Sequence, residues 1–316
     1  MTSSPSYEEL LRTLSEGSVE RHFDAFTDIP WDDPDYAIDP HDPRWVLPEC
    51  EPLGASAWYR ALPEADRIRI GLARQANTAK VGLQFENLLM RGLLEYVFLL
   101  PDRDVEFRYL THEITEEAHH TQMFQEFVNR TGVDVPGVHP VVRAFQAVIP
   151  LTVSVVPEFF FAMVLCGEEP IDHMQKTILR AGGPAHPLML RIMQIHVAEE
   201  ARHISFAHEY LRRTVPALPA ARRAVLSVLF PVMFTIACDL IAKPSPRFAA
   251  AQSIPRAVMR ETFWRSPESR RMRRDMLSDV RGLAVDCGLM NPVSARLWRM
   301  LRVDGRPSRY RSEPVR

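Results

Sequence analysis

Cysteine is scarce in this 316-residue chain: Cys50, Cys166, Cys238 and Cys287 lie far apart, with no Cys-x-x-Cys word among them. That excludes an iron–sulfur site and argues against a thiolate-bound structural zinc. Together with the polar start "MTSSPSYEELL", which has no secretory signal, it reads as reduced thiols in a cytoplasmic protein. An excess of one charge is missing too. The 38 Lys and Arg against 40 Asp and Glu give a formal net charge of -2, so no nucleic-acid partner is expected. Uninterrupted membrane-length apolar runs are also lacking. The stretch "FQAVIPLTVSVVPEFFFAMVLCG", 145–167, carries Glu158 and is broken by Pro150 and Pro157, whereas a bilayer helix needs ~20 predominantly apolar residues. A second stretch, "VLSVLFPVMFTIACDLIA", 225–242, is apolar on most faces and reads as a core helix surrounded by a layered interior. No membrane association is expected.

What is present is helix. With 46% hydrophobic and 25% charged residues the chain can bury a large core, and strand-like alternation between hairpin turns is absent. The pattern predicts helices over 56–75, 77–100, 103–131, 140–181, 187–214, 219–243, 254–263, 267–288 and 293–302. Between them stand "LLPDRD", "TGVDVPG", "AGGPAHP", "TVPALPA" and "AKPSPR", with the Pro and Gly expected of connections. Residues 1–55 form an N-terminal wrapping segment, rich in Pro, Asp and Trp over 26–54. The helical domain is 56–302, and "VDGRPSRYRSEPVR", 303–316, is a flexible tail.

Two nearly identical words stand out: "TEEAHH", 115–120, and "AEEARH", 198–203. A helix brings residues three apart onto one face, so Glu117 with His120, and Glu200 with His203, each offer a carboxylate and an imidazole to one point. In four-helix carboxylate proteins, two such pairs combine with one Glu from each of two other helices to hold two metal ions. Reflecting the first word through the turn near Pro101 lands on Glu86. Reflecting the second through the turn near Gly183 lands on Glu168 and Glu169. Both regions are apolar, and buried carboxylates are costly unless paired or coordinating metal. His196, four residues before Glu200, lies on the same stripe and reads equally as a further ligand or as a core histidine held by a carboxylate. Four carboxylates with two or three imidazoles suit iron or manganese; two Fe ions are expected, with mixed Mn/Fe occupancy left open.

The chain resembles the p-aminobenzoate N-oxygenase family of non-haem diiron oxygenases. The likeness rests on "TEEAHHTQMF", "GEEPID" and "HVAEEARHISF", with "PWDDPDYAIDPHDPRWVLP" in support, and spans most of residues 25–290. It implies an all-α, ferritin-like helical bundle with additional flanking helices. It also implies a homodimer in secondary metabolism that uses O2 and an external electron donor to oxidise an amine nitrogen through a peroxo-diferric intermediate, giving a hydroxylamine, nitroso or nitro product. The implied metal ligands are Glu86, Glu117, His120, Glu169, His196, Glu200 and His203; the resemblance favours Glu169 over Glu168 and ligation over core packing for His196.

Several neighbours extend the expectation. Pro170 either kinks its helix or starts a new segment. Asp172 is a candidate acceptor for a ligand imidazole N–H. Tyr109 and Tyr96 raise the alternative of a radical tyrosine as in diiron radical-generating subunits; Tyr109 sits roughly on the ligand face of its helix, but core packing with a satisfied hydroxyl is the favoured reading. His112, His119 and His208 read as structural or exposed. An amine pocket is expected beside the metals, lined by Phe159, Phe160, Met163 and the 225–242 helix. Two other readings stand beside it: a ferritin-like ferroxidase or iron-handling protein, against which the extra helices count, and a diiron C–H hydroxylase.

Overall fold

A computed structural model describes residues 6–263 and 265–306. Among them the regular elements are fourteen α-helices and four short 3-10 turns, with no strand, as an all-α bundle requires. In chain order the helices are α1 (Tyr7–Glu20), α2 (Pro52–Ala55), α3 (Ala57–Arg60), α4 (Glu64–Leu99), α5 (Glu106–Thr131), α6 (Pro140–Phe145) and α7 (Pro157–Ala181). They continue with α8 (Pro187–Thr214), α9 (Ala220–Ile241), α10 (Pro246–Ala251), α11 (Arg256–Thr262), α12 (Pro267–Met276), α13 (Ser278–Asp286) and α14 (Pro292–Met300). The bundle is built from two helical hairpins, α4 with α5 and α7 with α8. They meet where α5 touches α8 and α4 touches α7, while α1 lies across α5 and α8.

Helix boundaries follow local chemistry. The expected break near residue 76 does not exist: α4 runs 36 residues without interruption. Asn77, a poor helix former, is buried at mid-helix because its Oδ1 accepts the Gly137 N–H at 3.0 Å and anchors the loop after α5. The expected 140–181 helix is divided at Pro150 and Pro157, each of which begins a new element, where a missing N–H costs nothing. Pro170 instead lies inside α7, which continues through it as α-helix. Gly132 (φ 64°) and Gly182 (φ 61°) end α5 and α7 in the left-handed conformation that glycine adopts without strain.

Residues 6–55 of the N-terminal segment pack on the bundle as an ordered wrap. Helix α1, which the hydrophobic pattern does not flag, starts with a capping box between Ser6 and Glu9. Trp31 and Trp45 are buried, and Trp45 stacks on His186 at 4.1 Å. Glu51 pairs with buried Arg74 of α4 at 3.2 Å, and Arg74 also donates to the Ala242 carbonyl at 2.7 Å, tying the segment to both α4 and the end of α9.

Two expectations fail at the other end. Val303, placed at the start of the flexible tail, is buried and its carbonyl accepts from Arg281 at 3.0 Å; residues 307–316 of that tail lie outside the described residues. Helix α9 is not surrounded. It buries the row Leu226, Phe230, Phe234 and Cys238 and leaves Val225, Val228, Leu229 and Ile236 exposed. By length and composition α9 with its continuation could cross a membrane, and only 33% of its apolar window is buried.

One close approach sets the spacing of the hairpins. A Cβ on Gly167 of α7 would lie 1.7 Å from the Phe85 ring of α4. Gly167→Ala is therefore expected to cost about 1–3 kcal/mol by overpacking, read as a lowered urea midpoint at unchanged m-value.

Candidate metal centre

Seven carboxylates and three imidazoles from α4, α5, α7 and α8 are buried around one point in the bundle: Glu86, Glu113, Glu116, Glu117, Glu168, Glu199, Glu200, His120, His196 and His203. One donor atom each from Glu117, Glu168, Glu200 and His203 lie within 4.8 Å of one another, and so do donor atoms of His120, His196 and Glu200. Glu200 belongs to both groups. Its Oε1 lies 3.5 Å from His120 Nδ1, 3.3 Å from His196 Nε2 and 3.6 Å from His203 Nδ1. Glu117 also spans the two: one oxygen lies 2.8 Å from His203 Nδ1 and the other 3.1 Å from His120 Nδ1. Glu86 completes the second group, with Oε1 3.4 Å from His196 Nε2.

Many of these atoms are close without being bonded. Both oxygens of Glu168 and of Glu200, Oε2 of Glu86, Oε1 of Glu117 and Nδ1 of His203 are buried with no hydrogen-bond partner. Orphaned buried charges are expensive, and so many lone pairs aimed inward fit a site completed by cations. The donors are hard oxygens and imidazole nitrogens, the set that suits iron or manganese.

Each imidazole is fixed from behind. His203 Nε2 donates to Glu116 at 2.7 Å, and His120 Nε2 donates to Glu199 at 2.9 Å. Both turn Nδ1 toward the cluster, an arrangement that sets the tautomer and raises ligand basicity. The bonds cross between helices: the first Glu of each Glu-Glu-Ala word holds the histidine of the other word. His196 points the opposite way, with Nδ1 3.0 Å from Gln175 Oε1 and Nε2 facing Glu86 and Glu200. Glu199→Gln is expected to weaken metal binding by about 10–100-fold, measured by competition with a chelator.

The expected residues are distributed as follows. Glu86, Glu117, His120, His196, Glu200 and His203 come together. Glu169 does not join them: it turns away to His208, whose Nε2 donates to its Oε1 at 2.6 Å. Glu168, one residue earlier and 100° around the helix, faces the cluster instead. Asp172 receives Lys176 at 2.7 Å, while the acceptor behind His196 is Gln175. Sequence reasoning missed Glu113, one turn before Glu117, and the outer Glu116 and Glu199. The last two were visible as the doubled glutamate of each word.

Crowding sets the protonation pattern. Burial first, then neighbouring carboxylates, hold Glu86 and Glu168 well above the usual carboxylate range, and burial raises Glu113 to about 8. Burial opposes a charge on His120, yet Glu117 and Glu199 draw it up to about 10. Burial also works against Glu116, which His203 and Arg202 nevertheless pull down to about 2. The metal-free cluster therefore carries protons near neutral pH, and cations must displace them. Metal affinity is expected to rise with pH and proton release to accompany binding, both measured by calorimetry in buffers of different ionisation enthalpy.

Residues 4–288 match the family described as P-aminobenzoate N-oxygenase AurF. The chain belongs to this family. As a member of this diiron N-oxygenase family it is also 52% identical, over 310 residues, to a protein of Mycobacterium bovis and to one of Mycobacterium tuberculosis, both uncharacterized. Each alignment covers 98% of this chain and 91% of the relative.

Proposed function

We propose that the chain is a diiron oxygenase that oxidises the nitrogen of an aryl amine, with Glu86, Glu117, His120, Glu168, His196, Glu200 and His203 as metal ligands. The observation that supports this is the convergence of buried donor atoms, many of them unpartnered, on two adjacent points that share Glu200, with Glu117 reaching an imidazole at each. Two bound irons would supply the reduction of O2. The protein's own part is to hold the carboxylates against one another, to fix the Nδ1-facing tautomers of His120 and His203, and to keep the site dry. His196 adds a third neutral donor to one side, which distinguishes the two positions electronically.

A cavity of about 230 Å3 runs between α4, α7 and α9, and Phe85, Leu89, Phe160, Met163, Cys166 and Met233 are among its lining. Phe160, Met163 and α9 were expected there; Phe159 does not line it. All of its lining side chains are apolar, which supports a single-ring amine without a carboxylate. A larger cavity of about 480 Å3 beside the N-terminal segment is bordered by Arg44, Arg67 and Arg74, and a carboxylated amine would belong there.

The test is to load the protein with ferrous iron under argon, admit 18O2 with a panel of anilines and aminobenzoates, and analyse products by mass spectrometry. Labelled hydroxylamine, nitroso or nitro products from anilines support the reading. Continued iron uptake with no N-oxygenated product overturns it in favour of iron handling. Turnover of aminobenzoates alone would move the substrate to the arginine-bordered cavity. The exposed apolar row on α9 supports the homodimer, checked by light scattering on the eluting protein.

A further inference from the structure

Four of the seven tyrosines fall in one line that leaves the metal centre. On α8, Phe206 and Tyr210 follow His203 at i+3 and i+7 and so share its stripe. The Tyr109 ring lies 5.0 Å from Phe206, and Phe206 lies 5.5 Å from Phe161 and 6.0 Å from Tyr210. Phe161 lies 4.2 Å from Tyr210 and 5.2 Å from Tyr96. Past Tyr96 the line continues through a carboxylate: Glu106 accepts from the Tyr96 hydroxyl and from the Tyr7 hydroxyl, each at 2.7 Å. Tyr7 is half-buried at the start of α1, where the guanidinium of exposed Arg213 lies 4.5 Å from its ring centroid. At the inner end the Tyr109 hydroxyl faces Glu113, one turn from Glu117.

An aromatic core does not require this pattern. Phenylalanine would fill the same volume without burying hydroxyls that cost about 1–3 kcal/mol when unsatisfied, and Glu106 is a buried carboxylate whose hydrogen-bond partners include two phenols. Phenols within hydrogen-bond reach of a base are what one-electron oxidation needs, because the oxidised phenol must give up its proton.

We propose that Tyr109, Phe206, Tyr210, Tyr96 and Tyr7 form the route by which single electrons pass from an external reductant at the α1 surface to the buried metal centre. The inference rests on the diiron reading above. While O2 is being reduced at the metals, the stage at which the centre can oxidise a phenol, Tyr96 would give one electron inward; its O–H bond breaks and the proton forms an O–H bond on Glu106. A one-electron donor at the surface then returns an electron through Tyr7, and the proton goes back to the Tyr96 oxygen. The net result is one electron moved from the donor to the metals, with every bond in the protein restored.

The experiment uses the full chain, loaded with ferrous iron under argon together with ascorbate as the one-electron donor, and then mixed with oxygen. The readout is the rate of ascorbate oxidation in the first turnover, together with a freeze-quench search for a phenoxyl radical. Tyr96→Phe and Tyr210→Phe are expected to keep wild-type iron content yet slow ascorbate oxidation by at least about tenfold, which is 1.36 kcal/mol in the barrier. Tyr96→Phe should also lose the radical signal, whereas Tyr36→Phe, off the line, should change neither. Unchanged rates in iron-replete Tyr96→Phe and Tyr210→Phe overturn the route while leaving the diiron reading intact. Failure of the wild-type chain to hold iron overturns both.

Discussion

Replacing Glu117 by Ala is expected to lower bound iron from two ions per chain to less than one, and His203→Ala to do the same. Glu117 faces His203 with one oxygen and His120 with the other, so under the proposed ligand set its removal takes a ligand from both positions. It also leaves two buried imidazoles without the carboxylate that favours their charged forms in the metal-free protein. Breaking buried ionic partners costs about 3–5 kcal/mol, so loss of stability must be separated from loss of ligation. Glu117→Gln keeps the shape and removes the charge, and should still lose iron while unfolding closer to wild type. Iron is counted by mass spectrometry of the desalted protein, stability by calorimetry. Retention of two irons by both alanine variants would sink the centre.

The second large effect separates adjacent residues. Glu168→Ala should strip metal, because its two carboxylate oxygens are buried without a hydrogen-bond partner and so are free to bind a cation. Glu169→Ala should instead retain metal and lose stability by about 3–5 kcal/mol, because buried His208 loses the carboxylate 2.6 Å away. Binding isotherms and thermal midpoints of the two variants therefore move in opposite columns. The reverse pattern would return Glu169 to the cluster.

Much of this was legible in the residues. Glu-x-x-His twice, inside apolar helices, named four of the converging side chains, and reflection through the two turns named Glu86 and the pair 168–169. Choosing within that pair failed for a geometric reason: neighbours on a helix differ by 100°, so a reflection accurate to one residue cannot decide a face. Likewise the partners behind the imidazoles depend on how far the hairpins interpenetrate. Gln175 is invisible as an acceptor until α7 is placed against His196, while Asp172, the closer guess, finds Lys176 within its own helix. Continuity of α4 through Asn77 had the same origin, since a buried Asn is tolerated only when a distant loop brings Gly137 to it. The proline-punctuated turns and the buried tryptophans, by contrast, are local and were readable.

The crossed bonds from Glu116 to His203 and from Glu199 to His120 make each half of the site depend on the other and are expected to order its assembly. The first hairpin already owns Glu86, Glu117 and His120, but the group that fixes the His120 tautomer, Glu199, follows 79 residues after that histidine. Metal captured by the nascent half would meet an unoriented imidazole and half a ligand set. Loading is therefore expected only after the second hairpin has docked, which would spare the emerging polypeptide iron held in an open, unfinished fold.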